Sequence, residues 1–379
     1  MEPPLTYRWI DHPHAFEEAL AQLKTTPTLA VDFEMENHQR RYGLHLALIQ
    51  FSTPDARHYI IDPLAPIPVA RLDELWNRAE GELIIHDADF DRRACRQLFG
   101  WVLRRVFDTR VAAQFCGMRH IGLADLIREL LGLQIDKSFQ KGDWMKRPLS
   151  PEALQYAARD SAMLHDLRQA LLERLQALGR LEWMQEECRR GEEPPPPEPE
   201  EPFHYRIKRS SLLSPRQLAV LGAITAFRDR LAQHLDRPIH YVMRDEILLG
   251  LAQSPPDDAR IVRQLRGIHP ALKRSDFSEA FMQALREGQA APEEEHPTRQ
   301  KRAPIKSGFG DRLKAMQAWR VALAAPFDME AFLFLSNDVL KWCAAHPGEK
   351  PPHAIQHEIR DWQRAIAWQP FREHFHIPD

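Results

Sequence analysis

The stretch Leu29-Ala30-Val31-Asp32-Phe33-Glu34-Met35-Glu36 alternates apolar and acidic residues. Side chains of a strand take opposite faces in turn. The pattern therefore predicts a strand with Leu29, Val31, Phe33 and Met35 on one face and Asp32, Glu34 and Glu36 on the other. The run Leu44-His45-Leu46-Ala47-Leu48-Ile49-Gln50-Phe51 follows almost at once and reads as a buried strand. Three aligned carboxylates on a core strand fit either a solvated acidic sheet face or a metal site. The rest of the chain decides between them.

A second acidic cluster, Asp87, Asp89 and Asp91, follows an apolar run that ends near His86. A strand ending there and a helix starting at Asp87 or Ala88 make Asp87 the expected helix cap. Helical spacing puts Asp89 with Arg92, Arg93 and Arg96 on a wet face, and Asp91 with Cys95, Leu98 and Phe99 on the inner one. A third element starts at Ser150 as cap with Pro151 in first position. Its apolar stripe, with Tyr156, Ala157, Met163 and Leu164, includes Asp160. Buried carboxylates are paired, hydrogen-bonded or on a metal. Asp32 with Glu34, Asp91 and Asp160 would repel one another strongly unless cations joined them, and all-oxygen sites suit Mg²⁺ or Mn²⁺. Two such ions can clamp the attacking and leaving oxygens of a phosphodiester. Tyr156, one turn before Asp160, is placed to orient or deprotonate a water, although a tyrosine on such a stripe can equally serve the core.

Other strands are expected at about 57–62 and 82–86, and helices near 14–23, 70–78, 88–99, 109–115, 122–131 and 150–178. This mixture suggests an α/β mixed sheet flanked by helices. The 379 residues, 44% hydrophobic and 28% charged with a formal net charge of −3, describe a globular protein of two or three domains. No run approaches the ~20 apolar residues of a membrane helix, and the N-terminus shows no secretory pattern. Four scattered cysteines argue against a disulfide framework and fit a reducing cytoplasm. The segment Gly191–Pro202 holds only Gly, Glu and Pro and reads as an extended linker. Beyond it the pattern is helical, and residues 206–274 hold thirteen Lys or Arg against six Asp or Glu.

Asp32-x-Glu34, His86-x-Ala88-x-x-Asp91 and Tyr156-x-x-x-Asp160 resemble the three exonuclease motifs of the DEDD superfamily, tyrosine subclass. Val106–Thr109, Gly122–Ala124, Asp136–Trp144 and Arg147–Ser150 are similar specifically to ribonuclease D. Gly142 departs from the serine often found there. The resemblance implies an RNase H-like fold, two divalent metal ions (Mg²⁺ or Mn²⁺), and release of 5′-nucleotides from a 3′ end. Carried over by position, the metal ligands are Asp32, Glu34, Asp91 and Asp160, and Tyr156 orients the water. Glu36 matches no ligand and is assigned to the solvated face or rim.

Residues 212–275 resemble an HRDC domain, a helical nucleic-acid-binding module, and residues around 310–370 a degenerate second copy. Phe227-Arg228 and Trp319-Arg320 open the shared pattern. The implied layout is an exonuclease domain over 1–190, a linker over 191–206, an HRDC domain over 207–290, and a second HRDC-like domain over 310–379. Phe33, His86, Arg228, Arg237 and Arg244 are the expected nucleic-acid contacts. The expected partner is RNA, the 3′ end of tRNA precursors or another small structured RNA, and the expected state a monomer. A DNA exonuclease acting on single-stranded DNA and a catalytically silent RNA-binding scaffold are the alternatives.

Overall fold

The computed structural model describes residues 4–135, 139, 142–194, 201–297 and 306–378. Part of the Asp136–Trp144 motif and the centre of the Glu/Pro linker lie outside the described residues. The chain forms two compact units. One comprises Met1–Glu34, Leu46–Pro194 and Ile305–Asp379, the other Met35–His45 and Pro195–Pro304.

In the first unit the strands β1 (Tyr7–Ile10), β2 (Thr28–Asn37), β3 (Leu44–Ser52), β4 (His58–Ile61), β5 (Glu82–Ile85) and β6 (Val106–Asp108) form one sheet in the order β1-β4-β3-β2-β5-β6. β3 runs antiparallel to β4, while β2, β5 and β6 run parallel, as does β1 to β4. The sheet is mixed, as the sequence pattern indicates. β1 and β6 are not expected from that pattern: they are short, and unlike β4 (His58–Ile61) and β5 (Glu82–Ile85) neither carries a run of apolar residues that marks a strand. Central β2 is covered on both faces in its first half, where Leu29, Ala30 and Val31 are all fully buried.

The flanking helices are α1 (Pro13–Thr25), α2 (Asp73–Trp76), α3 (Ala88–Phe99), α4 (Thr109–Phe115), α5 (Leu123–Leu131), α6 (Pro151–Ala162), α7 (Leu164–Ala177) and α8 (Leu181–Arg190). Ser150 caps α6, its Oγ accepting from Ala153 N at 3.2 Å. The single helix expected over 150–178 breaks at Met163. Ser161 Oγ turns back to the Ala158 carbonyl and meets Ser52 Oγ across the sheet at 2.7 Å, and such back-bonding bends helices.

The C-terminal helices Phe309–Ala324 and Asn337–Ala345 belong to the same apolar cluster as α4, α5, α7 and α8, with Met316, Leu340 and Phe371 joining Phe115, Leu126 and Leu167. Trp362 stacks on Trp183 at 4.7 Å and meets Phe115 edge-on at 5.5 Å. Arg180 donates to the carbonyls of Phe115 (2.9 Å) and Phe327 (2.8 Å). Arg360 forks onto Glu187 at 2.8 and 2.7 Å. The segment 310–379 thus shares its core with the exonuclease helices. Periodicity shows that a helix buries a stripe, but not against which neighbour.

In the second unit, helices Pro215–Leu235, Asp245–Gln253 and Ser275–Ala290 enclose Leu221, Ile224, Phe281 and Leu285. A Cβ on Gly288 would lie 2.7 Å from Val220 Cα, so the close crossing of the two long helices requires glycine there. This unit includes the loop after β2, where Tyr42 Oη donates to Asp229 Oδ1 at 2.9 Å.

Candidate metal centre

Carboxylate oxygens of Asp32, Glu34 and Asp160 lie within 4.8 Å of one another. β2 supplies the first two and the last turn of α6 the third. Asp91, on the first turn of α3, is buried beside them. Desolvation raises the pKa of all four. Each of Glu34, Asp91 and Asp160 is pushed further by Asp32, and Glu34 also by Asp160 and Asp91. Asp32 itself is raised to about 6. Among the described residues, no Lys or Arg is among the charges acting on Asp32, Glu34 or Asp160. A half-buried, all-oxygen donor set with no counter-charge among the described residues costs free energy that a hard divalent cation would relieve. The residues present therefore fit such an ion.

α3 is held by a residue that motif spacing does not reveal. Asp108, at the end of β6, accepts from the backbone N–H of Asp87 (3.0 Å) and Ala88 (2.8 Å), and also caps α4 through Arg110 N at 2.9 Å. Asp87 occupies the cap position with φ 62° but makes no capping bond; its carboxylate pairs with Arg110. This corrects the capping role expected of it. Asp89 is exposed and pairs with Arg93 at 2.7 Å. Arg92, expected on the same wet face, is instead buried.

Tyr156 is half-buried between Phe139 and Trp144, both ring centroids at 6.0 Å. Its hydroxyl meets Asp160, and burial with the charges of Asp160 and Glu34 drives its pKa far up. Just beyond Asp160, Ser161 Oγ contacts Ser52 Oγ, which also contacts His58 Nδ1 at 2.7 Å, a buried chain fastening α6 to β3 and β4. Three isolated polar residues carry no motif, so sequence reading passes over them.

Several expected positions differ. Glu36 is not solvated: it is 4% exposed, and its Oε1 accepts from Gln39 N (2.6 Å) and Arg40 N (2.7 Å), closing the turn where β2 ends. Phe33, expected to touch nucleic acid, is buried against Trp76 with centroids 6.3 Å apart. His86 is partly buried and bonded to Thr109 Oγ1 at 2.9 Å. Arg228, also expected to touch nucleic acid, is 2% exposed. It donates to the Met243 carbonyl (2.8 Å) and Asp245 Oδ1 (2.6 Å), so it braces its own unit. Arg237 and Arg244 are exposed.

Comparison with known proteins adds to this geometry. A 3′–5′ exonuclease family matches residues 7–176, and the HRDC domain family matches residues 217–285. Ribonuclease D of Gluconacetobacter diazotrophicus is 32% identical over 91% of this chain and 86% of its own length. Ribonuclease D of Pseudomonas paraeruginosa is 26% identical over 94% of both chains. The crystal structure of Escherichia coli RNase D, an exoribonuclease involved in structured RNA processing, shares the fold with a TM-score of 0.70 at 23% identity. That likeness covers 97% of this chain and 98% of the other.

Proposed function

This chain belongs to the ribonuclease D family of 3′–5′ exoribonucleases, and on that premise we propose that it trims the 3′ ends of structured RNA such as tRNA precursors, as a cytoplasmic monomer, through two divalent ions (Mg²⁺ or Mn²⁺) held by Asp32, Glu34, Asp91 and Asp160. The observation that carries this reading is the convergence of Asp32, Glu34 and Asp160 within 4.8 Å, with Asp91 buried beside them.

When bound, the ions would supply an activated water and offset charge on the phosphoryl oxygens. The protein's own part is positional. Asp160 takes up the Tyr156 hydroxyl and so fixes its direction. Tyr156 Oη then holds the attacking water by hydrogen bonds. Phe139 and Trp144 keep the tyrosine ring in place.

Discrimination of RNA from DNA rests on contacts to the 2′-OH. Matched 5′-labelled single-stranded RNA and DNA, incubated with Mg²⁺ or Mn²⁺ and with chelator, test the proposal. RNA shortening by single nucleotides from the 3′ end, stopped by chelator, is the expected result. Loss of DNA with RNA spared would make the protein a DNA exonuclease, and no loss of either would leave a binding scaffold.

A further inference from the structure

A cavity of about 310 Å³ opens beside Asp160, one of the four acids. Glu152, Gln155, Tyr156, Arg159 and Asp160 line one wall and Phe139 faces it. The five wall residues follow the spacing of one helical face, so the wall runs about 12 Å along α6, from Asp160 outward to Glu152 at 1.5 Å per residue. Its inner end is the carboxylate cluster. Arg159 stands one residue from that end.

Arg159 has an unusual environment for a cation beside four carboxylates. It is partly buried, and its Nε is fully buried without a hydrogen-bond partner among the described residues. It forms no ion pair among the described residues, and it is not among the charges acting on Asp160 or Glu34. Its guanidinium is therefore turned away from the acids and toward the cavity. Leaving a buried donor unmade is costly, more so for a charged group. Because Arg159 lines the cavity, an anion arriving there would pair with its charge, and a guanidinium fork matches phosphate oxygens. The flanking carboxylate, Glu152, is exposed at the outer end and too far along the helix to serve as partner.

We propose that Arg159 binds the RNA phosphate next to the scissile one, making it a specificity-determining residue for substrates with at least two phosphodiesters. The scissile phosphate must sit at the carboxylate cluster, from which Arg159 is turned away, so the neighbouring phosphate is the one within its reach. Phe139 offers a flat apolar face for the sugar or base between them. This inference rests on the exoribonuclease reading above.

The test compares two substrates of the full-length chain with Mn²⁺. One is a ribodinucleotide carrying only the scissile phosphodiester, the other a ribotrinucleotide carrying one more. Arg159→Ala is expected to raise KM for the trinucleotide about 10-fold or more, the worth of one charge-assisted hydrogen bond. kcat should be little changed, the dinucleotide should be cleaved as by the parent, and Arg159→Lys should restore part of the loss. A trinucleotide with a neutral methylphosphonate at the non-scissile position should reproduce the loss in the parent, with no further loss in Arg159→Ala. That arm needs no variant to fold. Binding of the trinucleotide in Ca²⁺ should weaken in the same proportion. Equal loss on both substrates, or none on either, overturns the role of Arg159 alone. A parent that cleaves neither overturns the functional reading on which it rests.

Discussion

Arg320 repeats the bonding of Arg228. Each guanidinium donates to a backbone carbonyl fifteen residues on, Met243 for Arg228 and Leu335 for Arg320. Each also donates to a side-chain oxygen seventeen residues on, of Asp245 and of Asn337 respectively. Both arginines are buried within a long helix, directly after an aromatic residue. The shared latch supports the proposal that 310–379 descends from a second HRDC-like module, even though it now packs within the first unit.

The latch predicts that Arg228 serves stability rather than RNA. Arg228→Met should cost about 1–3 kcal/mol through the unpaired Met243 carbonyl and Asp245, and Arg228→Lys should recover little, since lysine lacks the fork. Urea unfolding reads this directly. A variant with parental stability but weaker RNA binding would put Arg228 back at the surface.

What the sequence made legible follows from which interactions leave a period. The alternation in β2 and the phasing of α3 place Asp32, Glu34 and Asp91 because pleat and helix geometry are local. Glu36 and Arg228 were misplaced for the opposite reason. Each obeys the same period, but its partner, a turn N–H or a carbonyl fifteen residues away, lies outside it. The hold of Asp108 on α3 and the Ser52–Ser161 contact depend on partners distant in sequence. Arg159 is hidden likewise, since its isolation shows only once α6 is in place.

Tyr156→Phe keeps the ring between Phe139 and Trp144 and removes only the hydroxyl. Turnover should fall by roughly 10²–10⁴, the range of a group that handles the reacting water, with thermal stability and RNA affinity nearly unchanged. Parental turnover in steady-state assays would return Tyr156 to the core.

Trp362 links the C-terminal segment to α4 and α8. Trp362→Ala should lower the free energy of unfolding by about 3–5 kcal/mol. A chain ended after Arg190 should unfold at a lower temperature than the whole, because Phe115 and Trp183 lose their cover. Equal melting temperatures would mean that the two parts fold independently.

Metal binding should depend on pH. In the chelated protein the folded-state pKa of each acid is raised, so protonation favours the folded form. The resulting destabilisation is full above those values and is relieved as pH falls through them, which for Asp32 means about 6. Protons and cations then compete for the same oxygens. The rise in melting temperature on adding Mn²⁺ should be larger at pH 8 than at pH 6. An equal rise at both would place the ion on other groups.

The most direct test of the proposed metal centre sets Asp91 against Asp89, two aspartates of one helical turn facing opposite ways. With a 5′-labelled single-stranded RNA and Mg²⁺ or Mn²⁺, Asp91→Asn should abolish the single-nucleotide ladder, a loss beyond the roughly 10–100-fold typical of residues that merely support a metal ligand. Asp89→Asn, which gives up only an exposed pair with Arg93, should leave it nearly intact. Equal effects of the two substitutions, or an active Asp91→Asn, would contradict the assignment of these four acids as the site of hydrolysis.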